Sequence, residues 1–564
     1  MKRSDQPRRL GYATLVSALF LIGCSSSDGD FSSVPNPYVL PDGNGTQVAT
    51  MRVFGDSYSV SGSWGAPWSS ELQAAGRVVS VDQYAVGGAQ AGMGRSNSFN
   101  NQIDQYLTAG APRGPRDLTV AYFGYNDIGR GGSGDGLANA RAGYQLGVNR
   151  LVAAGVIEGD NRLFLTQIHD WSKNPGVNPA VGAEVLAWND YVASVANQSS
   201  NFVAVDLYTV FENVYRDPGR FGLVNVTDVN PSRARVDFLY HDEIHFGAKG
   251  ASIIARTFNH YLTRGWDWAN SLSAGAEASA QLQRDLDGGL LFLQFQETFN
   301  DSTEPLGLRA LNLGETGSNQ GVLLDYNARV GMALFNRNQS LENQMVDDVA
   351  NRRDISSEGF AAYHNTTVAG ISSRTQLSSL QHTQHASAYD GLIDRGVRQR
   401  VDSNSLAIQQ QFSRILRVQG MAFAPWLGIT HRSVSMDDNT YRTLYTSRTH
   451  VSSDSYSELV LGNGVQMFGQ PIALGYGNTL QLSGSFGVEQ SLHRSDVSLQ
   501  FTEAALPGVR QTETVNLPGF TRQTGGISAR LALSQGVDIT LGYSVTEENG
   551  NQSDLGMLTL THQF

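Results

Sequence analysis

The sequence predicts two folded units of different class: an α/β domain on a buried parallel sheet, followed by a transmembrane β-barrel. Three observations carry this expectation. The chain has 564 residues, too many for one ordinary core. From 48 to 264, short apolar strand patterns alternate with helical ones, as in a parallel sheet covered on both faces. After 290 the hydrophobic period becomes two, with polar residues at the alternate positions.

Composition narrows the setting. Charged residues make up 16%, below the quarter usual for soluble proteins. The net charge of -12 repels phosphate backbones, so nucleic acid is not expected as a partner. Residues 1–23 read as an export signal. Lys2, Arg3, Arg8 and Arg9 form a positive start, and Gly11 to Ile22 is an apolar run too short to span a bilayer. The run ends in Leu21-Ile22-Gly23-Cys24, which resembles the lipobox of bacterial lipoproteins. That resemblance implies cleavage before Cys24 and lipidation of its thiol, and Ser25 in place of Asp implies sorting to the outer membrane. The alternative is an ordinary secretory signal with an incidental Cys. Cys24 is the one cysteine of the chain, so no internal disulfide can form. Residues 24–47, rich in Ser, Gly, Asp, Pro and Asn, read as a flexible tether.

Within 48–264 the expected strands are Val48 to Phe54, Leu118 to Phe123, Leu163 to Ile168 and Phe202 to Leu207. Tyr144, Val148, Leu151 and Val152 recur at helical spacing, as do Val181, Val185, Trp188, Val192 and Val195; Ile254, Phe258 and Leu262 mark a last helix. Reactive residues are expected on loops at the carboxyl ends of the strands. Residues 265–289 form a helical linker with small and polar residues all round, which suits a water-lined pore better than an ordinary core. From 290 to 564, alternation is clearest in Val537-Ile539-Leu541-Tyr543-Val545, in Ile527-Ala529-Leu531-Leu533 and around Leu480 to Val488. It is weak between 300 and 400. A soluble β-sandwich has the same period, but here the inward positions carry Arg and Asp where a sandwich core needs apolar groups. The polar helix, the barrel and the terminal Phe564 together resemble the translocator of autotransporters, which implies about 12 strands with the helix in the lumen. His562 departs from the aromatic residue usual at that place.

The chemistry-bearing residues fall in four blocks. Gly55-Asp56-Ser57 follows the first strand. Tyr84-Ala85-Val86-Gly87-Gly88-Ala89 follows a short apolar stretch. Gly124-Tyr125-Asn126-Asp127 follows the second strand, and Asp242-Glu243-Ile244-His245 precedes the last helix. Taken singly each block is a common turn sequence. All four together, in this order, resemble the GDSL (SGNH) hydrolases. The resemblance covers 48–264 and implies a flavodoxin-like three-layer α/β/α domain. It implies Ser57 as nucleophile, His245 as base and then acid, and Asp242 as its orienting carboxylate. It also implies an oxyanion hole from the Ser57 and Gly88 amides and the Asn126 side chain. Gly87 competes with Gly88 for that role. Asn126 and Asp127 could be loop caps, and Asp56 could serve the turn. His241 and His169 are rival histidines, read as surface or packing groups.

No cofactor or metal is expected: there is no Cys pair and no zinc-type His-Glu-x-x-His run. The glycine-rich stretch Gly129 to Gly136 lacks a following Lys-Ser or Lys-Thr and reads as a mobile loop. The resemblance thus implies a carboxylic-ester hydrolase, an esterase or lipase, displayed at the cell outer membrane with its catalytic domain outside. Its partners would be an ester substrate, the lipid around the barrel and the barrel-assembly machinery. The alternatives are a carbohydrate O-acetylesterase or lysophospholipase on the same scaffold, or an inactive adhesin.

Overall fold

The computed structural model describes residues 48–60, 68–133, 137–231, 237–299, 307–312, 320–327, 329–344, 350–390, 395–533, 537–548 and 551–562. The export signal, Cys24 and the tether lie outside them, as do 134–136 of the glycine-rich stretch and the terminal Phe564.

The N-terminal unit is built on five parallel strands, β1 (Val48–Gly55), β2 (Val78–Gln83), β3 (Leu118–Tyr122), β4 (Arg162–Thr166) and β5 (Phe202–Val205), in the order β2-β1-β3-β4-β5. Such strands read as continuous apolar runs because helices cover both faces; Met51, Val53, Phe54, Val120, Phe164 and Val203 are all buried. The covering helices include Phe99–Ala109, Ala138–Ala153, Gly182–Ala196 and Leu207–Arg216. Two positions differ from the helical stripes expected from spacing. Val152 is 43% exposed, because the apolar stripe of its helix ends at Leu151. Val181 lies in the 3-10 turn Pro179–Val181, before its helix. The strand order decides where a site can form. The chain leaves β1 for β2 on one side and returns to β3 on the other, so the loops after β1 and β3 meet at a topological switch point, where open α/β sheets bind ligands.

A single helix, Ala248–Phe299, links the two units. No break occurs at 264/265 or at 289/290, where the sequence pattern divides domain, linker and barrel. The 52 residues contain no proline, so the backbone ladder continues unbroken for roughly 78 Å. Its first turns pack on the sheet domain through Ile253, Ile254 and Phe258. Further on, Ser271, Ser273, Ser279 and Gln283 are buried although polar, because the surface that buries them is itself polar. Gln384 donates to the Ser271 carbonyl (2.8 Å) and Arg432 to Gln283 (3.1 Å). Glu277 pairs with Arg284 at 2.6 Å and with Arg522.

That polar surface is the inside of an antiparallel barrel. Among the described residues twelve strands, from Gly307–Asn312 to Asn551–His562, follow one another round the sheet, the short strands Leu416–Val418 and Ile472–Gly475 pair beside them, and the first and last of the twelve lie against each other. The burial pattern is inverted relative to a water-soluble sheet. On strand Arg395–Ser413, Leu406, Ile408 and Phe412 are exposed while Ser403, Ser405, Gln409 and Gln411 are buried. Leu482, Phe486, Ile527, Leu541 and Tyr543 are exposed likewise, and Arg530 pairs with Asp538 on the inner side. An apolar exterior around a polar lumen suits lipid outside. Among the described residues no helix is long and apolar enough to cross a membrane.

The barrel does not end flush. Asn439–Tyr441, Thr449–Ser453, Val497–Glu503 and Gln511–Val515 form a separate four-stranded sheet beyond one rim. Its loops put Leu444, Tyr445, Leu506 and Val509 into the core cluster of the N-terminal domain. At the centre of this seam Arg264, 1% exposed, binds Glu513 (2.6 Å), Glu503 (2.9 Å) and Gln511. Tyr261 donates to the second Glu503 oxygen (2.9 Å), and Gln511 donates to the Ala204 carbonyl of the edge strand β5 (3.2 Å).

Removing one partner of such a buried cluster leaves its charges unpaired, which typically costs about 3–5 kcal/mol. Arg264→Met is expected to destabilise the domain on the barrel by about that amount, read as early proteolysis of the N-terminal domain in the full chain. Adding Glu503→Gln and Glu513→Gln to it should recover most of the loss. Equal sensitivity of all forms would show that the seam is held by its apolar contacts alone.

Candidate active site

The loop after β1 carries the candidate nucleophile. Ser59 N–H donates to the Asp56 carbonyl (3.0 Å), closing a turn that holds Ser57 half-buried at the sheet's rim. Gln102, fully buried, accepts from the Gly55 amide (3.0 Å) and donates to the Gly55 carbonyl (2.9 Å). It therefore fixes the strand end from which the turn departs.

The segment before the long helix carries the candidate base. One Asp242 oxygen accepts the backbone N–H groups of Ile244 (2.8 Å) and His245 (2.7 Å), and the other lies 2.8 Å from His245 Nδ1. Partial burial pushes the Asp242 carboxyl up. The His245 imidazole and these two amides outweigh that, so its pKa ends below the ordinary carboxylate value. An ionised carboxylate only accepts, so Nδ1 carries the proton and Nε2 presents its lone pair. His245 Nε2 lies 2.9 Å from Ser57 Oγ. The hydroxyl donates along that line, which is the geometry of a serine–base pair.

Two further loops, after β2 and β3, carry Gly88 and Asn126. Ala89 N–H donates to the Val86 carbonyl (3.1 Å), closing a turn in which Gly88 takes φ 73°. A side chain would strain that conformation. The amides of Ser57 and Gly88 make no hydrogen bond among the described residues. Asn126 follows Gly124, which takes φ 134° and whose missing side chain leaves room for the Trp188 indole. The Asn126 amide gives one N–H to the Ala89 carbonyl (3.0 Å). The other reaches Asp56 only at 3.5 Å, a bond weak enough to exchange for a substrate oxygen.

Three features have no signature in the sequence. Asp127 is no cap of its own segment: its two oxygens accept the Ala91 and Gly92 amides, each at 2.9 Å, and tie the Gly88 loop to the Asn126 loop. Asp56 is buried, which drives its pKa from 3.8 up to about 8; the Tyr58 amide opposes the rise and the nearby Asp127 carboxylate adds to it. The carboxyl beside Ser57 thus holds its proton far more firmly than a free one. His169 is fully buried, hydrogen-bonded to Tyr125 Oη (2.6 Å) and Asn174 Oδ1 (2.9 Å). No local pattern marks it, because its partners come from other loops. His241 gives its backbone N–H to the His245 carbonyl (2.9 Å). The glycine-rich stretch is anchored over its described part. Trp171 donates to the Gly129 carbonyl (3.0 Å), and Ser133 N–H to Glu184 (2.9 Å). Among the described residues no cluster of His, Cys, Asp and Glu has the arrangement of a metal site.

Residues 19–258 match the model of the GDSL-like lipase/acylhydrolase family. No curated protein matches the chain. Among solved structures, the translocator domain of autotransporter NalP from Neisseria meningitidis is 14% identical with a TM-score of 0.36, over 51% of this chain and 98% of its own. The β domain of the Bordetella autotransporter BrkA is 13% identical with a TM-score of 0.30, over 46% of this chain and 96% of its own. An acetyl xylan esterase, AlAXEase, is 16% identical with a TM-score of 0.27, over 36% of this chain and 96% of its own.

The position of Asp56 gives a pH test. Its carboxyl ionises near 3.8 when free and near 8 in the fold. The folded state therefore holds its full advantage at low pH and loses it as pH rises through the folded value. Asp56→Asn, neutral throughout, should show a smaller fall in unfolding midpoint from about pH 5 to about pH 8 than the parent chain. A parallel fall in both would assign the slope to other groups.

Proposed function

We propose that the GDSL-like lipase/acylhydrolase domain of this chain is a carboxylic-ester hydrolase that works through an acyl-Ser57 intermediate. The observation that carries this is the unbroken line Asp242–His245–Ser57, with 2.8 and 2.9 Å between its members. In the first step Ser57 Oγ attacks the ester carbonyl carbon as His245 Nε2 takes the hydroxyl proton. The tetrahedral oxyanion is held by the Ser57 and Gly88 amides and by the Asn126 N–H that otherwise reaches Asp56 at 3.5 Å. Asp242 keeps the imidazole in one tautomer and stabilises it while charged. When the intermediate collapses, the C–O bond to the alcohol breaks and His245 returns the proton to the leaving oxygen. Water then gives a proton to the same imidazole as its oxygen bonds to the acyl carbon; the acyl–Oγ bond breaks, the carboxylic acid leaves and His245 returns the proton to Ser57 Oγ.

The reading extends to where the reaction takes place. The apolar outer face of the barrel and its polar, helix-filled lumen favour insertion in an outer membrane. Docking of the domain beyond the rim that carries the extra four-stranded sheet favours display outside the cell. The substrate would then be an ester met at the surface, with no cofactor required by the two chemical steps.

The full chain in detergent is expected to hydrolyse p-nitrophenyl esters. Ser57→Ala should abolish turnover, and Asn126→Ala should lower kcat about 10²–10³-fold, the usual cost of one oxyanion donor. Turnover unaffected by Ser57→Ala would refute the mechanism. On intact cells, added protease should remove the activity; activity that survives until the outer membrane is opened would place the domain on the inner side.

A further inference from the structure

His245 must approach Ser57 from a segment without regular structure, so something must hold that segment. Side chains from two other segments grip its Ile244 carbonyl. Tyr58 Oη lies 2.5 Å from the Ile244 carbonyl, and Asn174 Nδ2 lies 3.0 Å from the same oxygen and 3.0 Å from Tyr58 Oη. Behind Asn174 stands His169, and behind it Tyr125 and Tyr122, whose hydroxyls are 2.7 Å apart.

Every proton in this array can be assigned from groups that have no choice. The Ile244 carbonyl only accepts, so Tyr58 O–H and the Asn174 amide nitrogen both face it as donors. The Asn174 oxygen is thereby turned to His169, and that oxygen only accepts. His169 therefore carries its proton on Nε2, and Nδ1 must receive the Tyr125 hydroxyl proton. The Tyr125 oxygen in turn accepts from Tyr122. Burial pushes the His169 pKa down to about 3, with the Asn174 bond opposing, so the ring is neutral as this assignment requires. Tyr240 Oη, 3.3 Å from the Asn174 oxygen, adds a second donor there. On the other side of His245, the Phe246 ring lies between those of His169 and Phe211, both with centroids at 4.4 Å.

We infer that Asn174 and Tyr58 are positioning residues for the esterase reaction: a one-directional hydrogen-bond chain, Tyr122 to Tyr125 to His169 to Asn174 to Tyr58, terminates on the Ile244 carbonyl and holds the His245 imidazole at bonding distance from Ser57. The inference rests on the hydrolase reading. None of these side chains needs to touch the substrate for it. Their effect passes through one backbone oxygen, adjacent to the base, that two donors grip at once. The chain is buried for most of its length, so water cannot replace a lost donor without a cavity to sit in. A base displaced by a fraction of an ångström should take up the serine proton less well, while substrate binding is little altered.

The test uses the full chain with p-nitrophenyl butyrate, and counts competent sites by stoichiometric reaction with a p-nitrophenyl phosphonate. Tyr58→Phe and Asn174→Leu are each expected to lower kcat per titrated site by about 10- to 100-fold with KM within about twofold. Because both act on one carbonyl, the double variant should lose much less than the product of the two factors. His169→Gln, whose amide N–H can replace the Nε2 proton, should retain most of kcat. Unchanged kcat per titrated site, losses confined to KM or to the number of sites, or multiplicative losses in the double variant would each overturn the inference. Ser57→Ala in the same assay keeps the two claims apart. If it abolishes turnover while the Asn174 and Tyr58 variants behave as the parent, only the positioning chain falls; if it retains turnover, the hydrolase reading falls first.

Discussion

A serine hydroxyl is a weak nucleophile until a neutral imidazole nitrogen lies within hydrogen-bond reach. In this chain the two groups are 188 residues apart in sequence and 2.9 Å apart in space, and much of the domain can be understood as the means of keeping them there. The strand order β2-β1-β3-β4-β5 sets the Ser57 turn beside the Asn126 loop at the reversal of the sheet. Gln102 fixes the end of β1, Asp127 ties the Gly88 loop to the Asn126 loop, and Asp242 folds its own segment around His245. Each of these contacts is a side chain bonding to backbone. Catalytic loops have few ladder bonds of their own, so polar side chains supply the missing partners.

The same chain must also satisfy two solvents. Its C-terminal strands turn Leu, Ile and Phe outward and Ser, Gln and Arg inward, the reverse of the five-stranded sheet. The long helix Ala248–Phe299 reconciles the two environments along one axis: apolar where it meets the sheet domain, small and polar where it meets the barrel interior. A cluster of ion pairs at Arg264 stands at the changeover. Each carboxylate there finds the guanidinium and at least one further donor, which offsets the cost of taking the charges out of water.

The parts legible in the sequence are those set by short-range pattern. Strand–helix alternation points to the parallel sheet, and the period of two to the barrel strands at 480–488 and 527–545. The four blocks point to Ser57, Gly88, Asn126, Asp242 and His245 because each sits within a few residues of a recognisable strand end or helix start. The parts that are not legible depend on closure. Asn174 lies just after a short 3-10 turn, Trp171–Lys173, with no motif around it. His169 reads as a surface or packing histidine because its neighbours in sequence say nothing of Tyr125 or Phe246. Asp127 has an adequate local explanation as a cap, and only the folded loops show that its carboxylate is spent on Ala91 and Gly92. The joining of linker and domain into one helix is hidden by the change of composition near 265, which marks a change of surroundings and not a break in the backbone.

The central claim is chemical: an acyl group passes through Ser57. The most direct measurement is to quench the full chain during steady turnover of a p-nitrophenyl ester at low pH and map the modified peptide by mass spectrometry. The account predicts one acyl group per chain, on the peptide containing Ser57, lost again when the unquenched enzyme is left without substrate. A covalent adduct on another residue, or turnover with no adduct on that peptide at any quench time, would contradict it.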